Sequence, residues 1–334
     1  MGKTGIENYL TDVQGILAGH FTSLDTVSGV TVVLCPDGAT AGVDVRGAAP
    51  GTRETDLLAP LNLVEQVQAI VLSGGSVYGL SAADGVVRWL SEQGKGFPLP
   101  EGKAVPIVPA AVLFDLGRGK DFVPPVGPDW GRAACENAVS KASGLGCLGA
   151  GTGAVSGAIK GGLGSASEVL TSGITVAAMV AVNSLGSVIN PKTGLAWELE
   201  MEIDDEFGPI ARRAVKPPQP EPPAAAANTT IGIIATDAVL TKAQAMKIAQ
   251  MAHDGLARAI RPCHTMFDGD TIFCVATGIH DLPETPGFFL ASKAVSLNEI
   301  GRSAADCMSR AIIRGIVEAH SLGTAVALRD LEPF

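Results

Sequence analysis

The feature that most constrains this chain is a junction in its last third. Leu240 to Ile260 carries apolar residues at helical spacing, with Thr241 placed to cap the start. Pro262 then forbids continuation, since it lacks an N–H and its ring blocks the helical path. The segment Pro262-Cys263-His264-Thr265-Met266-Phe267-Asp268-Gly269-Asp270 follows, and Thr271 to Ala276 reads as a buried strand. Any fold must therefore pass from helix through a polar turn into a core strand within a few residues, with Thr265 where they meet. Asp-Gly between apolar residues is also a hairpin signal, and on pattern alone a plain turn explains it.

Composition sets the class. With 334 residues, 46% hydrophobic and 17% charged, the chain is a folded globular protein able to bury a large core. It reads as a single domain covering residues 1–334. A net charge of −10 argues against nucleic acid and against an anionic membrane surface as partner. Cys35, Cys135, Cys147, Cys263, Cys274 and Cys307 show neither a Cys-x-x-Cys pair nor zinc-ligand spacing, so they read as reduced thiols of a cytoplasmic protein. No metal and no cofactor is expected. The first residues show no basic-then-apolar signal, and Ile6 stands where an acylation motif needs Ser or Thr. Val169 to Ile189 is apolar but holds Thr, Ser, Gly and Asn, which suits a buried strand pair better than a membrane span.

Along the chain, residues 29–34 read as a strand with 40–46 as its antiparallel partner across Pro36-Asp37-Gly38. Arg46 to Asp56 is a long polar loop of the kind that often carries function. Ala69 to Leu72, a Gly-rich turn at Ser73 to Gly79 and a helix through Trp89 follow; this turn is neither a nucleophile elbow nor a P-loop. Residues 105–113 look like an edge strand because of their prolines. Residues 130–143 read as a helix. Gly144 to Gly164 is the most Gly-dense stretch, and its glycines allow close backbone approach or leave N–H groups free to line a pocket. Lys160 within it is either a buried site cation or a solvated strand end. Asn183, closing the apolar run Thr175 to Val182, either donates to a developing oxyanion or caps the turn before Gly186. Lys216 to Ala227 is a Pro/Ala-rich flexible loop within the fold, and Leu282 to Gly287 another loop. Residues 293–320 carry a long helical pattern in which Asp306 is the acid of the most apolar part; it either holds a site cation or faces solvent.

Taken together, Asp44-Val45-Arg46-Gly47, Gly74-Gly75-Ser76 with Ala82-Ala83-Asp84-Gly85, Gly149-Ala150-Gly151-Thr152-Gly153, Asn228-Thr229-Thr230-Ile231 and His264-Thr265 through Asp268-Gly269-Asp270-Thr271 form an ordered set spanning nearly the whole chain. The set resembles the DmpA-type self-processing aminopeptidases, the family that also holds the endo-type 6-aminohexanoate (nylon) oligomer hydrolases. The resemblance implies an α/β fold in four layers, α/β/β/α. It implies a cut between His264 and Thr265 into chains 1–264 and 265–334, and oligomers of those pairs, four pairs together. It implies Thr265 as nucleophile, with Lys160, Asn183 and Asp306 as assisting groups. Phe114, where the nylon-oligomer branch has Tyr, Gly149, Gly151 and Ser303 would line the substrate site. Ala304 departs from the pattern, and Ser303 beside it is a substitute.

The chemistry is coherent. A threonine hydroxyl needs a base within reach, and the freed α-amine of a terminal Thr265, with an ordinary pKa of about 7.7–8.0, can be that base. The reading is therefore an amide hydrolase acting on short peptides, amino-acid amides or polyamide oligomers. Two others stay open: acyl transfer of the ornithine acetyltransferase type, and a non-catalytic small-molecule binding protein with an intact chain.

Overall fold

The structure, a computed structural model, describes residues 2–218, 228–284 and 292–333. Residues 219–227 of the predicted Pro/Ala-rich loop, and 285–287 of the following one, lie outside the described residues. The elements are β1 (Leu17–Ser23), β2 (Ser28–Val45), β3 (Gly51–Arg53), β4 (Gln66–Ser73), α1 (Ala82–Glu92), β5 (Phe97–Pro98), β6 (Ala104–Val105), β7 (Ala110–Val112) and α2 (Pro128–Glu136). After these come β8 (Val155–Ser156), β9 (Ile159–Lys160), β10 (Gly162–Val169), β11 (Thr175–Val182), the single turn α3 (Gly208–Ala211), β12 (Ile231–Ala238), α4 (Lys242–Ala259), β13 (Thr271–His280) and α5 (Ala294–Val317).

Hydrogen bonding runs in the order β10-β11-β12-β13-β2-β4-β7-β3, with β1 also on β2. The pairs β12–β13 and β4–β7 are parallel and the others antiparallel. The period of two along each strand sorts its side chains between faces. Val176, Ala178, Val180 and Val182 of β11 join Ile234, Ile272 and Cys274 in a core shared with α4 and α5. The alternate residues Ala177, Met179 and Ala181, with Ile233 and Phe273, instead pack against Val33, Ile70, Leu72 and Leu113. Val30, Val32, Leu34, Ala69 and Val71 form a third core against Ala82, Val86 and Leu90 of α1 and Ala134 of α2. Three cores separate four layers, helix, sheet, sheet, helix, as the resemblance implies.

The layers are joined through β2. Its first half pairs with β1 and its second half with β13, while β4 follows the other edge. The expected hairpin of 29–34 with 40–46 is therefore wrong. Pro36-Asp37-Gly38 interrupts the register against β4 between Leu34 and Ala39, and the strand passes on instead of turning back. Residues 105–113 also differ: β7 lies between β4 and β3, so it is not an edge. The helix expected over 130–143 stops at Glu136, and Val139 exchanges N–H and C=O with Ala18 of β1, at 3.0 Å in both directions. α4 matches its pattern, and Thr241 caps it by accepting from the Gln244 N–H.

Candidate active site

Three chain crossings converge beside the start of β13. β11 ends at Val182 and continues into Asn183-Ser184-Leu185-Gly186. β12 is entered through Asn228 to Thr230. The turn from His264 to Asp270 leads into β13. Gly186 makes the first approach possible: a Cβ there would stand 1.9 Å from the Pro262 carbonyl oxygen. Residues 46–49 close over the turn, with the Gly47 N–H on the Asp270 carbonyl and the Ala49 N–H on the Asp268 carbonyl.

Two carboxylates hold the His264–Thr265 peptide from either side. Asp268 Oδ2 accepts the Thr265 N–H at 2.9 Å and the Thr265 hydroxyl at 2.6 Å, while its Oδ1 accepts the Leu185 N–H at 3.3 Å. Asp270 Oδ2 accepts the His264 N–H at 3.0 Å and its Nδ1–H at 2.8 Å; Oδ1 accepts the Thr230 N–H at 2.8 Å. His264 has a φ of +55°, a left-handed conformation that costs a non-glycine residue free energy. Burial raises the Asp268 carboxyl above its ordinary range and the negative Asp270 raises it further, against the bonds from Thr265 and Leu185. Burial alone would lower His264, but the bond and charge of Asp270 together with the neighbouring Cys263 outweigh it and lift the imidazole to about 9. His253 of α4 meets that ring edge-on, with centroids 4.9 Å apart; burial pushes it down to about 4, so it is neutral.

Lys160 is buried, not solvated. Its ammonium donates to the carbonyls of Gly151, Ala154 and Gly161 at 2.9–3.0 Å, and burial lowers it to about 8. Asn183 is fully buried. Its Oδ1 accepts from Arg118 at 2.6 Å and from the Val155 N–H at 3.0 Å, and its Nδ2 donates to the Phe114 carbonyl at 3.2 Å. Arg118 also donates to the Gly153 carbonyl, and burial lowers it to about 10 against the pull of Asp115. Arg118, Lys160, Gly153, Val27 and Thr324 line a small pocket of about 60 Å³. Gly149 and Gly151 do not offer free amides: the Gly149 N–H is held by Thr22 Oγ1 and the Gly151 N–H by the Leu148 carbonyl. In the Gly-rich turn after β4 the Gly75 N–H is also taken, donating to the Asp115 carboxyl at 2.6 Å.

Thr265, Asn183, Lys160, Phe114 and Gly151 thus lie in one connected neighbourhood, linked through Asp268–Leu185 and Ala154–Val155. Asp306 and Ser303 do not join it. Asp306 pairs with Arg258 at 2.7 Å and with Arg302, and Ser303 donates to Glu168 at 2.6 Å. Arg302 also pairs with Glu168, and Cys307 donates to the Val176 carbonyl. Glu168 lies opposite Val176, whereas Gly162 lies opposite Val182 at the Lys160 and Asn183 end. Six residues of strand separate the two ends, roughly 20 Å at about 3.3 Å each. The helical phase of α5 turns Asp306 to that far end, so it neither holds Thr265 nor fixes Lys160. It does not face solvent either, being 9% exposed. The groups that sequence reading missed are Asp268, Asp270 and Arg118. Asp268 stands three residues after Thr265, a spacing at which a carboxylate can fold back on a hydroxyl and amide, but the Asp-Gly pair reads first as a turn.

The profile of peptidase family S58 matches residues 8–327. A protein of Mycobacterium tuberculosis named as an uncharacterised aminopeptidase is 45% identical over 348 residues, covering 98% of each chain. A 6-aminohexanoate-oligomer endohydrolase of a Kocuria species is 30% identical, across 93% of this chain and 86% of its own. Among solved structures, an L-aminopeptidase D-Ala-esterase/amidase of Ochrobactrum anthropi, described as a variant of the Ntn hydrolase fold, superposes with a TM-score of 0.71. It covers 99% of this chain and 91% of its own at 21% identity, a likeness of fold.

Proposed function

The chain belongs to peptidase family S58 and is an amide-bond hydrolase, and on that premise we propose that Thr265 is its nucleophile, exposed by self-cleavage of the His264–Thr265 bond. The observation that carries this reading is the local geometry of that bond. A hydroxyl with a carboxylate acceptor at 2.6 Å immediately follows a residue held at φ +55°. Attack of the hydroxyl on the preceding carbonyl relieves the strain, shifts the peptide to an ester, and water opens the ester. Thr265 then carries a free amine a few bonds from its hydroxyl, so little orientation entropy remains to be lost in catalysis.

In turnover, Thr265 Oγ attacks the substrate carbonyl, the amine takes and returns the proton, and water releases the acyl group. Lys160, at about 8, brings a cation close to neutrality into the site. The Asn183 amide, whose Oδ1 accepts from Arg118 and whose Nδ2 carries a second N–H beside the one given to the Phe114 carbonyl, is assigned as an oxyanion donor. Asp306 takes no part. Because relatives are named as an uncharacterised aminopeptidase and as a 6-aminohexanoate-oligomer endohydrolase, the substrates proposed are short peptides or amino-acid amides with a free N-terminus, and polyamide oligomers. A cytoplasmic location and assembly of the cut pairs into oligomers belong to the same reading; no helix of the described residues is long and apolar enough to cross a membrane.

The test is the denatured mass of the purified protein beside Thr265→Ala and Thr265→Ser. Two fragments meeting between 264 and 265 in the wild type, with the alanine variant uncut, are expected. A single intact mass in the wild type after long incubation overturns the reading.

A further inference from the structure

Resting on the self-cleavage reading above, we propose that Asp268 is the base that drives the first cut and, after it, the counter-ion that holds the Thr265 ammonium. The need for such a group is chemical. An N-terminal threonine is served by its own amine, but before the cut that nitrogen is an amide and has no basic lone pair to offer. The precursor must therefore find its base elsewhere. Among the described residues, the contacts of Thr265 Oγ1 are the Asp268 carboxylate at 2.6 Å and the Phe267 N–H at 3.3 Å, and only the carboxylate can take a proton. The Lys160 ammonium is turned to three carbonyls, and the His264 ring donates its Nδ1–H to Asp270.

Asp268 is built for this task. It is 1% exposed, and the Leu185 N–H fixes its other oxygen at 3.3 Å, so Oδ2 is aimed at Thr265. The charged groups around it are Asp270 on its own turn, with His264 held on Asp270. Residues 46–49, 183–185 and 228–230 meet the turn through backbone groups, and Arg46 is engaged with Asp44. Burial and Asp270 both raise its carboxyl, which makes the carboxylate a stronger base than an exposed one.

The steps balance. The Thr265 hydroxyl proton passes to Asp268 as the Oγ–C bond forms at the His264 carbonyl. The C–N bond then breaks, and the nitrogen, 2.9 Å from the same Oδ2, takes that proton. Water adds to the ester, the C–Oγ bond breaks, and Oγ regains a proton. His264 is left as a carboxylate and Thr265 as an amine, whose protonated form Asp268 binds. The role expected of Asp306 thus falls to a residue three places after the nucleophile.

The experiment uses the full chain freshly released from denaturant, with the cut fraction followed by mass, for wild type, Asp268→Asn and Asp268→Glu. Wild type is expected to cut. Asp268→Asn, shown folded by its melting curve, is expected to cut roughly 10²–10⁴-fold more slowly. The wild-type rate should fall as pH falls through the Asp268 carboxyl, and Asp268→Glu should cut with that acid limb displaced. Asp268→Asn cutting at the wild-type rate overturns the proposal while leaving self-cleavage intact. Should the asparagine variant fail to fold, the glutamate variant decides: an acid limb identical to wild type overturns the assignment. An uncut wild type instead overturns the reading on which it rests.

Discussion

Removing the ammonium of Lys160 would leave the carbonyls of Gly151, Ala154 and Gly161 without this donor in a buried place. The Gly151 and Ala154 carbonyls keep the Ala154 and Gly161 N–H groups, so the loss is that of a charged donor in a buried place, and Lys160→Met should lose about 1–3 kcal/mol in all in a urea titration. Lys160→Arg should not restore it, because a flat guanidinium fork cannot serve three carbonyls gathered around a point. His264 gives a second expectation, in the uncut Thr265→Ala chain. Its imidazole stands at about 9 against an ordinary 6.5. The folded state then holds the proton more tightly than the unfolded one. The pair with Asp270 stabilises fully below pH 6.5 and loses its contribution as pH rises through about 9. The loss should stay well below the roughly 3 kcal/mol of the full shift, because solvent reaches the ring and screens the pair, and Asp270→Asn should flatten that slope in melts taken across the window. At this scale the sequence was a partial guide. Thr265, Lys160 and Asn183 were legible as a threonine after a helix stop, a cation in an apolar run and an amide at a strand end. Asp306 was misplaced because spacing along a helix gives no absolute phase relative to a site. Asp268 was hidden because its turn-forming signal masked its carboxylate.

Elements position the site through close backbone contacts, and glycines mark them. At Gly186 an added Cβ meets the Pro262 carbonyl oxygen at 1.9 Å, so Gly186→Ala must push the segment before Thr265 away from the turn after β11. At Gly164 the same group meets the Ala311 carbonyl oxygen at 1.8 Å and lifts α5 from β10. Both substitutions should cost about 1–3 kcal/mol. They should differ in chemistry: Gly186→Ala slows appearance of the 265–334 fragment, while Gly164→Ala lowers the melting temperature and leaves the cutting rate of the folded fraction unchanged. β11, α4 and α5 were readable because local periodicity and caps decide them. The partners of β2 were not: Val30 to Leu34 pair with the preceding β1 on one side and with β4 on the other, Thr40 to Val45 pair with the far later β13, and a proline-containing bulge looks like a hairpin turn until those partners are known.

For the whole molecule, the decisive fact is where the 265–334 piece sits. Its β13 lies between β12 and β2, both from the 1–264 piece, and its α5 shares a core with α4, β10 and β11. Cutting one bond in the turn should therefore leave a single particle. Gel filtration in native buffer should return both fragments in one peak, and only denaturant should part them. Threading β13 between two strands is easy while a short turn tethers it to α4, since the local concentration of one segment near the other is then high. Once the tether is severed, an unfolded molecule becomes two diffusing chains that must find each other. Refolding turns second order, and dilution favours loss. Maturation would thus act as a one-way valve: the chain gains its catalytic terminus by giving up its way back, and the lifetime of the mature particle is set by how slowly it opens, not by how readily it re-forms.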